Sequence, residues 1–124
     1  MAKKRTREHP HVRMYWYELN SQAYRHLDNN ARALLVEFRA LYSGGENRVF
    51  LSVREAAKRI NTTPKTAAKA LAQLVQHGFI REIEKGSFNR KVKHATVYAL
   101  TNHPIHDNGR EAPKDYMRWE PPNG

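Results

Sequence analysis

Cysteine is absent from the 124 residues, which excludes disulfides and thiolate metal sites. No apolar run approaches the ~20 residues that a membrane-spanning helix needs. The opening Met1-Ala2-Lys3-Lys4-Arg5-Thr6-Arg7 is basic, but no apolar stretch follows it, so it does not read as a secretory signal. The constellations of catalysis are missing too. There is no Gly-rich phosphate loop after a strand, no nucleophile elbow and no carboxylate pair in an apolar setting. The chain therefore does not read as an enzyme, and nothing in it asks for a cofactor or a small-molecule ligand. Seven His residues are present, but His9 and His11 flank Pro10, and His103 and His106 flank Pro104-Ile105. Prolines put both pairs in irregular chain, so no metal site is expected. His77 and His94 are expected to face solvent or phosphate.

Acidic residues are also scarce. Twelve Asp and Glu face twenty-two Lys and Arg, which leaves a net charge of +10 and a pI near 10.2. The excess is clustered. Lys3, Lys4, Arg5, Arg7 and Arg13 against Glu8 give residues 1–13 a net of +4. Lys65, Lys69, Arg81, Lys85, Arg90, Lys91 and Lys93 against Glu82 and Glu84 give residues 62–93 a net of +5. The stretch 14–61 carries +2 and the tail 101–124 carries −1. Two basic blocks around a near-neutral middle point to a polyanionic partner, of which nucleic acid is the commonest.

What is present suffices for one domain with a modest core, since 40% of the residues are hydrophobic. Residues 1–11 read as a flexible basic arm, 12–101 as the folded domain and 102–124 as an irregular, Pro-containing tail. Residues 12–19 are aromatic-rich and too short for a lone helix, so they read as a strand or an extended segment. Ser21 caps a short turn through Leu27.

The first strong helix starts at the cap Asp28. It buries Ala31, Leu34, Leu35, Phe38, Leu41 and Tyr42 at helical spacing, turns Arg32, Glu37 and Arg39 outward, and stops at Gly44-Gly45. Arg48-Val49-Phe50-Leu51 is a short β-prone run. Ser52 and Glu55 form a capping box for a helix that buries Val53, Ala56, Ala57 and Ile60 and stops at Asn61. Thr63 caps the next helix with Pro64 at its first position; Ala67, Ala70, Leu71 and Leu74 are its inner face, and Gly78 ends it. Phe79–Lys85 is a strand, Gly86–Arg90 a turn and Lys91–Thr101 a returning strand. Glu82 and Glu84 alternate on a solvated face.

The helix that follows the turn leaves Lys65, Thr66, Ala68 and Lys69 outside near its start, and no acid occurs between Asn61 and His77. The hairpin region 85–93 carries Lys85, Arg90, Lys91 and Lys93 with Ser87 and Asn89 and no acid. These features resemble the winged helix-turn-helix superfamily of bacterial DNA-binding proteins. The resemblance lies in Leu51–Ile60, Thr63–Leu71 and Leu74–Ile80, and covers about residues 28–101. The chain looks like a stand-alone type of bacterial genomes and mobile elements, with a Lys-Gly-Ser-Phe wing at Lys85–Phe88 and an Asp-Tyr-Met-Arg-Trp segment at Asp115–Trp119. Ala67 and Ala68 are smaller than the residues usual there.

The resemblance implies an α+β fold, a three-helix core with a β-hairpin wing. It implies a cytoplasmic, nucleoid-associated protein that binds double-stranded DNA as a transcriptional regulator. Lys65, Thr66 and Lys69 then probe bases with Thr63 and Ala68 beside them. Ser87, Asn89, Arg90, Lys91 and Lys93 meet the backbone or minor groove, and Lys3, Lys4 and Arg5 track an adjacent groove. Rival expectations are a replication or recombination accessory protein of a mobile element, an RNA-binding winged helix, and an adaptor for acidic protein. A homodimer through residues 12–43 or the tail is a further expectation. The aromatic clusters Tyr15-Trp16-Tyr17 and Tyr116, Met117, Trp119 are expected to pack the two terminal segments on the domain; single-strand base stacking is the other option.

Overall fold

The computed structural model describes residues 9–88, 93–105 and 111–122, with Ser87, Phe88, Lys93 and His94 described by their backbone alone. The architecture is α+β. Helices α1 (Trp16–Leu19), α2 (Gln22–Arg25) and α3 (Asn29–Leu41) precede strand β1 (Val49–Leu51). Helices α4 (Val53–Arg59) and α5 (Pro64–Gln76) follow. Strands β2 (Ile80–Glu84), β3 (Ser87–Phe88), β4 (Lys93–His94) and β5 (Thr96–Leu100) lead to a 3₁₀ turn at Asp115–Arg118. The main sheet is antiparallel in the order β1-β5-β2, and β3 pairs with β4 beyond it. Among the described residues no helix is long and apolar enough to cross a membrane.

Local chemistry sets the helix ends. The Asp28 carboxylate accepts from the Ala31 amide at 2.8 Å, and the Thr63 hydroxyl accepts from the Thr66 amide at 3.2 Å, so each cap satisfies one orphan N–H. Both α4 and α5 close in the Schellman pattern. Thr62 N–H donates to Ala57 O at 2.9 Å with Asn61 at φ +53°, and Phe79 N–H donates to Leu74 O at 3.0 Å with Gly78 at φ +85°. The first of these motifs makes the short turn that swings α5 away from α4. The second aims the chain into β2.

The core gathers the inner faces of these elements. Leu34, Leu35 and Phe38 of α3, Ala67, Ala70, Leu71 and Leu74 of α5, and Tyr98 and Leu100 of β5 are all buried. Each large aliphatic side chain among them contributes roughly 1.5–3 kcal/mol. Small residues on α4 and α5, Ala56, Ala57, Ala67 and Ala70, are buried with them and allow the close approach of the two helices.

Several expectations fail, some through local contacts and some through partners far away in the chain. Trp16–Leu19 is a helical turn, not a strand, because the Glu18 carboxylate accepts from the Tyr15 amide at 2.9 Å. Arg39 does not point outward. It is buried against Glu18, and its Nη1 donates to Glu18 Oε1 at 3.0 Å and to Arg13 O at 3.1 Å. Helix α3 ends at Leu41, three residues before the glycines, where Tyr42 turns extended. Only the serine half of the Ser52/Glu55 box forms; the Glu55 carboxylate instead meets Arg59 Nε at 3.4 Å. Val53 is exposed and Ile60 half-buried. The region expected as a turn at 86–90 carries strand β3 at Ser87–Phe88. His77 is buried: its Nδ1 meets Ala23 O at 2.8 Å and its ring stacks on Trp119 at 4.1 Å.

The tail is less irregular than its prolines suggest. Tyr116 of the 3₁₀ turn is 1% exposed and stacks on Phe79 at 4.7 Å, while Asp115 takes both arms of Arg81 at 2.7 and 2.9 Å. The terminal segments pack on the domain and on each other, as Lys114 Nζ lies 5.0 Å from the Tyr17 ring centre. Trp16 is the most exposed of the cluster residues at 80%, and Tyr15, Tyr17 and Met117 are exposed as well.

Gly78 joins these pieces. A Cβ there would come within 2.8 Å of Asp115 C and Cβ and Tyr116 N, on top of the left-handed φ. Gly78→Ala should therefore cost about 2–4 kcal/mol, from backbone strain and overpacking together. Gly44 shares the positive φ but has nothing within 4 Å, so Gly44→Ala should cost only about 1 kcal/mol. Urea unfolding of the two variants measures the difference. Equal losses would mean that the docked tail has no part in the cost.

Candidate nucleic-acid interface

Helix α5 presents two opposite faces. Ala67, Ala70, Leu71 and Leu74 are buried, whereas Thr63, Lys65, Ala68 and Lys69 are exposed and Thr66 is half-buried. Lys65 and Lys69 are four residues apart, hence neighbours on one helix face. The helix is held by α3 as well as α4: Asp28 N–H donates to Gln73 Oε1 at 2.7 Å and Gln73 Nε2 donates to Asp28 Oδ2 at 2.9 Å. The Ala31 amide first, and then Gln73, hold the Asp28 carboxyl below its ordinary value.

The two threonines differ in what remains free. The Thr63 hydroxyl donates to Thr66 Oγ1 at 3.0 Å while it caps the Thr66 amide, so its proton is already engaged. The Thr66 hydroxyl accepts that proton, which leaves its own O–H as a donor. The Lys65 amide, left over beside Pro64 and the capped Thr66 amide, the aligned peptide dipoles and the Lys65 side chain favour an anion at this end.

Charge pairing is uneven across the molecule. Arg39, Arg48, Arg59, Arg81 and Arg118 each meet a carboxylate. Lys65 and Lys69 meet none among the described residues, and neither do Arg54 and Lys58 on the exposed side of α4. Arg54 and Lys58 were not expected as site residues. Their i, i+4 spacing, opposite the buried Ala56 and Ala57, is the signal that marks them in the sequence.

The hairpin is described only in part. Ser87 lies in β3 and Lys93 in β4, and the pairing Ser87↔His94 and Phe88↔Lys93 brings their backbones together. Asn89, Arg90 and Lys91, and the arm residues Lys3, Lys4 and Arg5, lie outside the described residues. Glu82 and Glu84 are exposed; a β-bulge between them replaces strict alternation, and Glu84 meets Arg48 at 2.9 Å. No group of three or more His, Asp or Glu able to hold a metal occurs among the described residues.

No family model, no curated protein and no solved structure matches this chain.

Proposed function

We propose that this chain is a winged helix-turn-helix protein that binds double-stranded DNA and serves as a transcriptional regulator, with α5 in the major groove. The observation that carries the proposal is the set of exposed, carboxylate-free cations on one helix pair: Arg54 and Lys58 on α4, and Lys65 and Lys69 on α5. In a helix-turn-helix the first helix crosses the backbone and the start of the second reaches base edges. Arg54 and Lys58 suit phosphates, and Lys65, Lys69 and the Thr66 hydroxyl suit base edges. The element order from α3 to β5, with a short turn between α4 and α5 and a hairpin after them, supports the winged form.

Counterion release supplies the test. Two neutralised phosphates, at Arg54 and Lys58, give a slope of about −1.8 in log affinity against log salt, and wing contacts steepen it. Fluorescence anisotropy with a labelled mixed-sequence duplex, run from low to physiological salt, should give that slope or a steeper one. A slope near zero would leave the cations of α4 and α5 without their assigned partner.

A further inference from the structure

Beside the first segment lies a cleft that shares no residue with α4 or α5. It encloses about 470 Å³ and its lining includes Arg13, Tyr15, Arg39, Tyr42, Asn102 and His103. That volume falls inside the ~300–1,000 Å³ range of small-ligand sites. Three stretches of chain build it: the segment before α1, the end of α3 with the loop after it, and the residues after β5. We propose that this cleft binds a nucleotide unit, a planar base among its rings and a phosphate on Arg13.

Aromatic rings line it. Tyr42 stacks on His103 at 4.2 Å with 25° between the planes, and Tyr15 stacks on Tyr17 at 5.6 Å with 7° between them. Every base offers a flat π-face to such rings. No acidic side chain lines the cleft among the described residues, and Arg13 is exposed at its side. Burial, and after it the neighbouring Arg39, lower the His103 pKa, so its ring is neutral near pH 7 and suited to stacking on a base.

A second hollow of about 490 Å³ shares Tyr15 and Asn102 and adds Tyr17 and Lys114, with one acid, Glu111, in its lining. It leaves room for the next nucleotide of a single strand, so the unit can come from a free mononucleotide or from an unpaired strand.

Calorimetric titration of the full chain with the four nucleoside monophosphates, and separately with an eight-residue oligothymidylate, tests this. Saturable binding is expected in at least one arm. Tyr15→Ala and Arg13→Glu should each weaken it about tenfold or more, while Tyr15→Phe keeps it. Saturation by monophosphates assigns the site to free nucleotide; saturation by the oligomer alone, with the same variant losses, assigns it to a strand. Lys69→Glu should leave cleft binding unchanged, which separates this site from the duplex surface. Arg39 is avoided as a probe because its loss endangers the fold. Absence of binding in both arms, insensitivity to Tyr15 and Arg13, or equal binding of ribose 5-phosphate would overturn the proposal.

Discussion

Lys69→Glu is expected to weaken duplex binding by about 100-fold or more while the circular dichroism stays that of the parent chain. Loss of a base-reading contact alone costs about 1–3 kcal/mol, or roughly 5- to 150-fold. Reversal adds repulsion from phosphate at a site with no other carboxylate near it in sequence, since Glu55 and Glu82 are the flanking acids. The fold should not suffer, because Lys69 is exposed and has no ion pair to lose among the described residues. Lys65→Glu makes a sharper control. An acid in the first turn of α5 complements the helix dipole, so stability should hold or rise by a few tenths of a kcal/mol even as binding falls. Gel shift with a labelled duplex at low salt, beside urea unfolding of the same samples, reads both quantities. If either variant shifts the duplex as well as the parent does, α5 is not the helix that meets DNA.

Much of the scaffold behind this surface can be read from the sequence, because its signals are local. Ala31, Leu34, Leu35 and Phe38 repeat at helical spacing and are all buried. Thr63-Pro64 and Gly78 mark both ends of α5 through backbone rules that act within a few residues. The exposed face of α5 follows from the same periodicity, and so does that of α4 except at Val53, which reads as inside and is exposed. What escapes is pairwise and distant. Arg39 reads as a surface charge until Glu18, twenty-one residues earlier, is brought against it. Asn47 reads as loop, yet it is buried and bridges the Leu100 amide and carbonyl at 2.8 Å each. His77 is polar in the sequence and interior in the fold because Ala23 O and Trp119 come to it from either end of the chain. The cleft is the extreme case. It is assembled from three segments, and no window of sequence contains it.

Arg39→Ala is expected to cost about 3–5 kcal/mol, the largest effect of any single change at a polar residue here, because it strands a buried carboxylate. Glu18 is fully buried, and Arg39 is its charged partner. Replacing both, as Glu18→Gln with Arg39→Met, should be far milder, since it removes charge and desolvation penalty together. The pair also predicts a pH signature. Burial alone would raise the Glu18 carboxyl, but the hydrogen bonds from Arg39 and the Tyr15 amide and the guanidinium charge outweigh it and hold the group below its ordinary value. A carboxyl whose folded pKa is depressed adds stability above its unfolded pKa of about 4.3 and loses it as pH falls towards the folded value. Asp28 and Asp115 are depressed as well, Asp28 chiefly by the Ala31 amide and Asp115 chiefly by Arg81, so the parent chain is acid-labile at three carboxyls. Subtracting the double variant from the parent cancels the two aspartates and leaves the pair. Urea midpoints from pH 7 to pH 3 should show that difference constant above about pH 5.5 and moving against the parent below about pH 4.5. A difference that stays flat to pH 3 would mean that Glu18 carries no pH-linked stability and that Arg39 does no more than fill space.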